Sequence, residues 1–391
     1  MKTKIFFSVF LLIIVLNSCV SEFNAELPSK DIQILIVDGS IIENTDVTFY
    51  LSKSFPLNSI YRPEESLNIY ATLNIIGSNG YISPEAIPLG RGAYRFSIGE
   101  LEDGVSYGVQ IQYEGNTYRS ELTKPFRTPE IDSVSWMQPE EKGDVYFYVS
   151  THDDSGETKF FLWNYTEDWE VTAYYYTTFL FNPDLNSFYF VDYPPYYYCW
   201  RKSESDKFII GSTESLSQSR IINKELYSQV SGDSRFTNLY AVNITQKAIS
   251  KKAFEYYQNK IVLNDEMGGI FTPQPAELSG NITCITDPSK KVMGYVEAVK
   301  NTVQKRIFVN AYQVTRPQHF NNCESITDDS LRALLRETNN DYVYAYKMLN
   351  YRPTEASPDN MPIEWATNTC TDCTAVGASK TKPDFWPNSH Q

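Results

Sequence analysis

Residues 107–118 read Tyr107-Gly108-Val109-Gln110-Ile111-Gln112-Tyr113-Glu114-Gly115-Asn116-Thr117-Tyr118. Tyr107, Val109, Ile111 and Tyr113 occupy every second position, so they share one face of an extended strand. Glu114-Gly115-Asn116 then supplies the turn residues of a hairpin that returns into Tyr118. The same period recurs on either side. An apolar run, Ile32 to Val37, ends at Asp38-Gly39. Val47, Phe49 and Leu51 alternate with polar or outward positions. So do Leu67, Ile69, Ala71, Leu73 and Ile75 ahead of an Asn79-Gly80 turn, and Tyr94, Phe96 and Ile98. Short period-two runs separated by turn residues predict an antiparallel sandwich over residues 31–128. About 100 residues is the size of an immunoglobulin-like domain, although the Cys…Trp…Cys core of antibody domains is missing.

A second unit is expected over residues 129–391. Pro129 ends the preceding pairing and Ile131 opens a new strand. Val145–Val149, Lys159–Tyr165 and Asn238–Ile244 read as further strands, as do Val292–Val299 and Arg306–Tyr312. Ser250 is a good cap for a helix of about 12 residues with Phe254, Tyr257 and Ile261 on one face. Thr327 is placed to cap a shorter helix carrying Leu331, Leu334 and Leu335, with Asp328 and Asp329 at its positive end. The fold class is therefore mainly β: an immunoglobulin-like sandwich followed by a larger β-rich (α+β) domain with one or two short helices.

Composition sets the limits on function. The 391 residues carry 48 Asp and Glu against 34 Lys and Arg, a formal charge of −14. No basic face is on offer to meet phosphates, so nucleic acid is not expected as a partner. An apolar fraction of 42% supports real cores, and 29 Tyr with 22 Phe favour strands over helical bundles.

The first residues predict an address. Lys2 and Lys4 precede the apolar stretch Ile5–Leu16, which is too short to span a bilayer. Leu16-Asn17-Ser18-Cys19 follows and resembles a bacterial lipobox. Cleavage before Cys19 and acylation of its sulfur and amine are then expected, and several acyl chains anchor a protein far more firmly than one. Residues 1–18 read as a lipoprotein signal peptide and 19–30 as a tether.

Chemistry-bearing residues are sparse. The three histidines, His152, His319 and His390, stand alone, with no H-E-x-x-H spacing. His152-Asp153-Asp154-Ser155-Gly156 reads as a polar turn between strands. There is no nucleophile elbow, Walker loop or dinucleotide fingerprint. No catalytic residue, metal site or cofactor is therefore expected, although a pair of carboxylates brought together in space would revive hydrolysis. Five cysteines remain after Cys19. Cys370-Thr371-Asp372-Cys373 has the spacing of a zinc knuckle or a redox pair, but zinc wants a second close pair and the redox motif a βαβ context. An exported chain favours a structural disulfide, which we expect to run from this motif to Cys323. An odd number of cysteines leaves at least one thiol free. Finally, thirteen of the 27 residues in 174–200 are aromatic. Tyr196, Tyr197, Tyr198 and Trp200 are either ordinary strand packing or a surface that stacks on sugar rings or fills a partner's pocket.

Several local sequences resemble the Bacteroidota outer-membrane lipoproteins known as domain of unknown function 4249. They are Ile36-Val37-Asp38-Gly39, Gly115-Asn116-Thr117-Tyr118-Arg119-Ser120 and Pro129-Glu130-Ile131-Asp132-Ser133-Val134. Phe271-Thr272-Pro273-Gln274-Pro275-Ala276-Glu277-Leu278-Ser279-Gly280-Asn281-Ile282 and Met293-Gly294-Tyr295 follow. The last is Cys370-Thr371-Asp372-Cys373 with Gly377 and Lys382-Pro383-Asp384-Phe385-Trp386. Ala378 stands where a second glycine is usual. The resemblance implies a lipoprotein held in the outer membrane through Cys19 and displayed at the cell surface. It also implies a partner, a TonB-dependent β-barrel transporter, and no catalytic residues.

Overall fold

The structure, a computed structural model, describes residues 34–54, 63–176, 179–182, 187–190, 196–266, 280–315, 323, 326–327, 346–348 and 364–387. Signal segment, tether, Cys19, His319, His390, residues 271–279 and the expected helix after Thr327 lie outside them. The chain is mainly β.

The first unit uses β1 (Leu35–Asp38), β2 (Ile41–Ile42), β3 (Asp46–Lys53), β4 (Ala71–Gly77), β5 (Ile87–Gly90), β6 (Ala93–Ser97), β7 (Tyr107–Tyr113) and β8 (Asn116–Ser120). β1, β3, β6 and β5 form one sheet in that order; β8, β7 and β4 lie in the facing one. The hairpin read at 113–116 is present. Tyr113 pairs with Asn116, and both Glu114 and Gly115 have positive φ, as a two-residue type I′ turn requires. Alternation puts Val47, Phe49 and Leu51 of one sheet against Leu73, Ile75, Val109 and Ile111 of the other in a single core. One expectation is corrected: the alternation does not extend back to Leu67. Pro63–Leu67 forms a short helix, α1, and β4 starts only at Ala71. Proline at a first helical position already has the φ a helix needs.

The second unit begins with β9 (Ile131–Met137), β10 (Val145–His152), β11 (Phe160–Thr172), β12 (Phe179–Asn182) and β13 (Ser187–Phe190). β14 (Tyr198–Glu204), β15 (Ile209–Ser212), β16 (Arg220–Gln229) and β17 (Leu239–Ala248) follow, then helix α2 (Lys251–Glu266). A three-stranded sheet, β16-β10-β9, packs on a larger sheet centred on β11 and β17. Their shared core is aromatic. Phe147 and Tyr165 each stack on Tyr227, with ring centroids 4.6 and 3.8 Å apart. It is also polar at its centre: the Trp163 indole donates to Gln246 Oε1 at 2.8 Å, and Gln246 Nε2 donates to the Pro129 carbonyl and Thr151 Oγ1.

Ser250 caps α2, its Oγ accepting from the Ala253 amide at 3.1 Å. The helix is 16 residues, longer than expected, and lays Ala253, Tyr256 and Tyr257 on Phe160 and Leu162 at the back of β11.

The chain then returns to the first unit. β18 (Ile282–Cys284) pairs with β8, and β19 (Val292–Met293) and β20 (Ala298–Val299) run parallel to β1 and β2. The first sandwich thus contains residues 280–299 as well as the run before Pro129. Only glycine fits where this segment crosses β1: Gly294 has φ of 144°, and a Cβ there would stand 2.2 Å from the Val37 carbonyl oxygen. The chain goes back to the second unit as β21 (Val303–Asn310), alongside β17. Two of the crossings are bound to each other. Thr128 and Asn301 exchange three hydrogen bonds of 2.6–3.0 Å.

Glu297, buried on the returning segment, accepts from the Ser250 amide at 3.0 Å, so the returning segment also fixes the start of α2. Burial raises the pKa of its carboxyl.

Candidate functional site

β11 runs seven residues past the apolar stretch legible in the sequence, through Glu167, Asp168 and Glu170, all buried. Carboxylates are costly there unless partnered. Glu167 faces the core and accepts from the Tyr240 hydroxyl at 2.6 Å and from Gln229 at 2.7 Å. Three residues on, an odd step along the strand, Glu170 faces the back of the sheet, where the Trp386 indole lies 3.4 Å from its Oε2. Desolvation raises the Asp168 pKa, opposed by Lys202 and Arg306.

The end of β11 meets the C-terminal segment. β22 (Ile326–Thr327), β23 (Tyr346–Met348) and β24 (Glu364–Thr367) form a small sheet, followed by the single turn α3 (Asn368–Thr371) and a 3-10 turn at Cys373–Val376. Cys323 is bonded to Cys370, and Cys373 to Cys199 of β14. The second partner was not assigned from sequence. Among the described residues Cys284 is the free thiol, buried in β18.

Beyond the disulfides the segment crosses the edge of β14. Ser379 and Trp200 exchange backbone hydrogen bonds of 2.7 and 2.8 Å. On the far side Trp386 is buried against Phe308, and Arg306 lies 3.3 Å over the Phe385 ring. The last residues therefore run from the Cys199–Cys373 bond, past the β14 edge, onto Glu170 of β11 and Phe308 of β21, as a clasp.

Under the clasp is a cavity of about 700 Å³, within the range of small-molecule sites. Trp169 and Val171 of β11 line one side, both disulfides another. Thr172, Ser234, Thr237, Thr367 and Thr369 bring hydroxyls, and Arg201 of β14 brings the charge. Arg201 stands directly opposite Trp169 in the strand register. One of its terminal nitrogens donates to the Val376 carbonyl, and its buried Nε–H finds no acceptor among the described residues. No carboxylate or histidine belongs to the described wall.

The aromatic stretch divides at the mouth. Tyr196, Tyr197, Tyr198 and Trp200 are half-buried. Tyr197 packs edge-on against both Tyr176 and Tyr198, at 5.2 and 4.8 Å, and Lys380 sits 4.4 Å over Tyr196. These rings pack largely on each other and on the clasp. Tyr174, which lines the cavity, and Tyr176 are exposed. The sequence singles out Trp200 but not Arg201 beside it; the usable signal is the basic pair Arg201-Lys202 that ends an aromatic run.

His152 ends β10, away from the cavity. Its Nδ1 is 2.7 Å from Asp132 Oδ1 and its Nε2 3.6 Å from Asp154 Oδ2. The hydrogen bond with Asp132 raises its pKa. Both ring nitrogens face carboxylates, so neither is placed to activate a hydroxyl. Among the described residues no group of three or more His, Cys, Asp or Glu side chains is placed to hold a metal ion. None of the described helices is long and apolar enough to cross a membrane.

Residues 20–305, well over half of the chain, match the family described as domain of unknown function (DUF4249). The chain belongs to that family. No curated protein matches it.

Proposed function

We propose that this DUF4249 member is a lipid-anchored accessory protein of the outer membrane, non-catalytic, that works beside a TonB-dependent β-barrel transporter in nutrient uptake. The observation that carries the reading is the clasped cavity. It has the volume of a ligand site, and its described wall offers hydroxyls, an indole and a guanidinium, groups suited to holding a molecule. General acid–base work would call for a carboxylate or histidine on that wall. The lipobox-like Leu16-Asn17-Ser18-Cys19 supports anchoring, and the family resemblance supports the transporter as partner. A tagged chain purified from detergent-solubilised outer membranes is expected to bring a large β-barrel with it. Repeated recovery of the chain alone overturns the partnership, and Cys19→Ala is expected to release the chain from the membrane fraction.

A second reading, a surface glycan-binding or adhesive lipoprotein, is favoured by Tyr174 on the cavity wall and by Tyr176 two residues on, both exposed. Accessible aromatic faces are what sugar stacking needs. Loss of cell adhesion to a glycan-coated surface in a Tyr174→Ser, Tyr176→Ser double variant supports it; unchanged adhesion removes it.

A further inference from the structure

We infer that the clasped cavity takes a small hydroxylated carboxylate of the uronic acid class, with Arg201 reading the carboxylate. The inference rests on the cavity being a binding site, the premise of the reading above, but not on the transporter.

Three features of the wall argue for this ligand. The first is charge. In a chain of net charge −14, Arg201 stands on a cavity wall with no carboxylate within ion-pair distance among the described residues. Neighbouring cations are engaged elsewhere: Arg235 with Gln229, Asp233 and the Trp169 ring, and Lys202 with Glu204. The second is an unmet donor. Arg201 Nε–H is buried without an acceptor among the described residues, and a buried donor of a charged group is costly unless it meets one. The guanidinium presents donors in a planar fork that matches a carboxylate. The third is the remainder of the wall. Thr172, Ser234, Thr237, Thr367 and Thr369 offer hydroxyls to the ring hydroxyls of a sugar, and the exposed Tyr174 supplies the aromatic surface a sugar ring covers. A neutral sugar would leave the Arg201 charge without a counter-ion, and a purely apolar acid would make no use of the wall hydroxyls, those of Thr237, Thr367 and Thr369 keeping only their contacts within the protein.

The test is calorimetric titration of the full chain in detergent with sodium glucuronate, and with glucose as the neutral comparison. Saturable one-to-one binding of glucuronate is expected, with glucose at least about tenfold weaker, the scale of one charge-assisted contact. Arg201→Gln, with both disulfides verified by non-reduced mass mapping, is expected to lose a similar factor. Thr172→Val, which removes one hydroxyl at nearly constant volume, should lose a few-fold. Equal affinity for glucose and glucuronate, undiminished binding by Arg201→Gln, or no heat with glucuronate overturns the proposal. The comparison of the two sugars uses the unaltered chain, so it decides the matter even if the arginine variant misfolds. A failed titration beside successful co-purification of a β-barrel refutes the ligand and spares the partnership; the reverse outcome does the opposite.

Discussion

The two sandwiches solve the same burial problem differently. The first fills its core with alternating aliphatic and aromatic side chains and borrows strands from far along the chain to cover the edges of β1 and β8. No disulfide joins its described strands, and its one cysteine is a free thiol. The second stacks tyrosines and tryptophans around a hydrogen-bonded glutamine, runs three carboxylates along its central strand and stitches its last residues down with two disulfides. The difference teaches where the constraint lies. Apolar packing needs no particular partner, whereas buried polar groups need every one. The cavity sits where the second sandwich relies on covalent links instead of continuous packing.

The largest test of the contrast is reduction. Loops closed by the two bonds span 174 and 47 residues, for which the chain-entropy model gives about 5 and 4 kcal/mol. Thermal unfolding with and without reductant should show a large loss confined to the second sandwich. If the first loses as much, the two are not separable.

Gly294→Ala attacks the other side. Clash with the Val37 carbonyl and positive φ together should cost about 1–3 kcal/mol. Hydrogen exchange should report the loss in β1 and β19, with the disulfide clasp unaffected.

Ser250→Ala removes the cap of α2 and should cost about 1 kcal/mol, read from the denaturant midpoint. A cost well above that would mean that the Glu297 contact to the same residue also depends on the hydroxyl.

The smallest effect belongs to His152. Asp132 raises its pKa, so the protonated form is favoured in the folded state. Its contribution to stability is therefore fully present below the unfolded value and fades as pH rises through the higher folded one. NMR titration of the ring should give a pKa above the usual histidine value, returning toward it in Asp132→Asn.

Local pattern carried the sequence reading wherever an element is long and one-sided. β3, β6 and β7 announce themselves by alternation, and α2 by its serine cap. Three features left no local trace. β19 and β20 are two residues each, too short for a period, and their partners lie more than 250 residues away. The second half of β11 carries Glu167, Asp168 and Glu170, residues that strands avoid; partners distant in sequence, among them Tyr240 and Gln229 at Glu167, Lys202 and Arg306 near Asp168 and Trp386 at Glu170, make them tolerable. Cys199 pairs across 174 residues, a choice that five cysteines cannot reveal by spacing. Arg201 was missed for a related reason, since its meaning comes from Trp169 across the ladder and from the clasp above it.

The returning segment has a consequence in time. A chain synthesised amino end first presents β1 and β8 long before β18 and β19 exist. Until residue 299 has emerged, the first sandwich waits with two incomplete edges, each a row of unpaired amides and carbonyls open to other strands. The second sandwich lies between those partners in the order of synthesis, so its assembly is what brings the late strands home. Non-local pairing of this kind is slow, and it exposes the chain to aggregation while it waits. The first domain to appear is thus the last to close, and it depends on a holding factor or on fast folding of its neighbour during that interval.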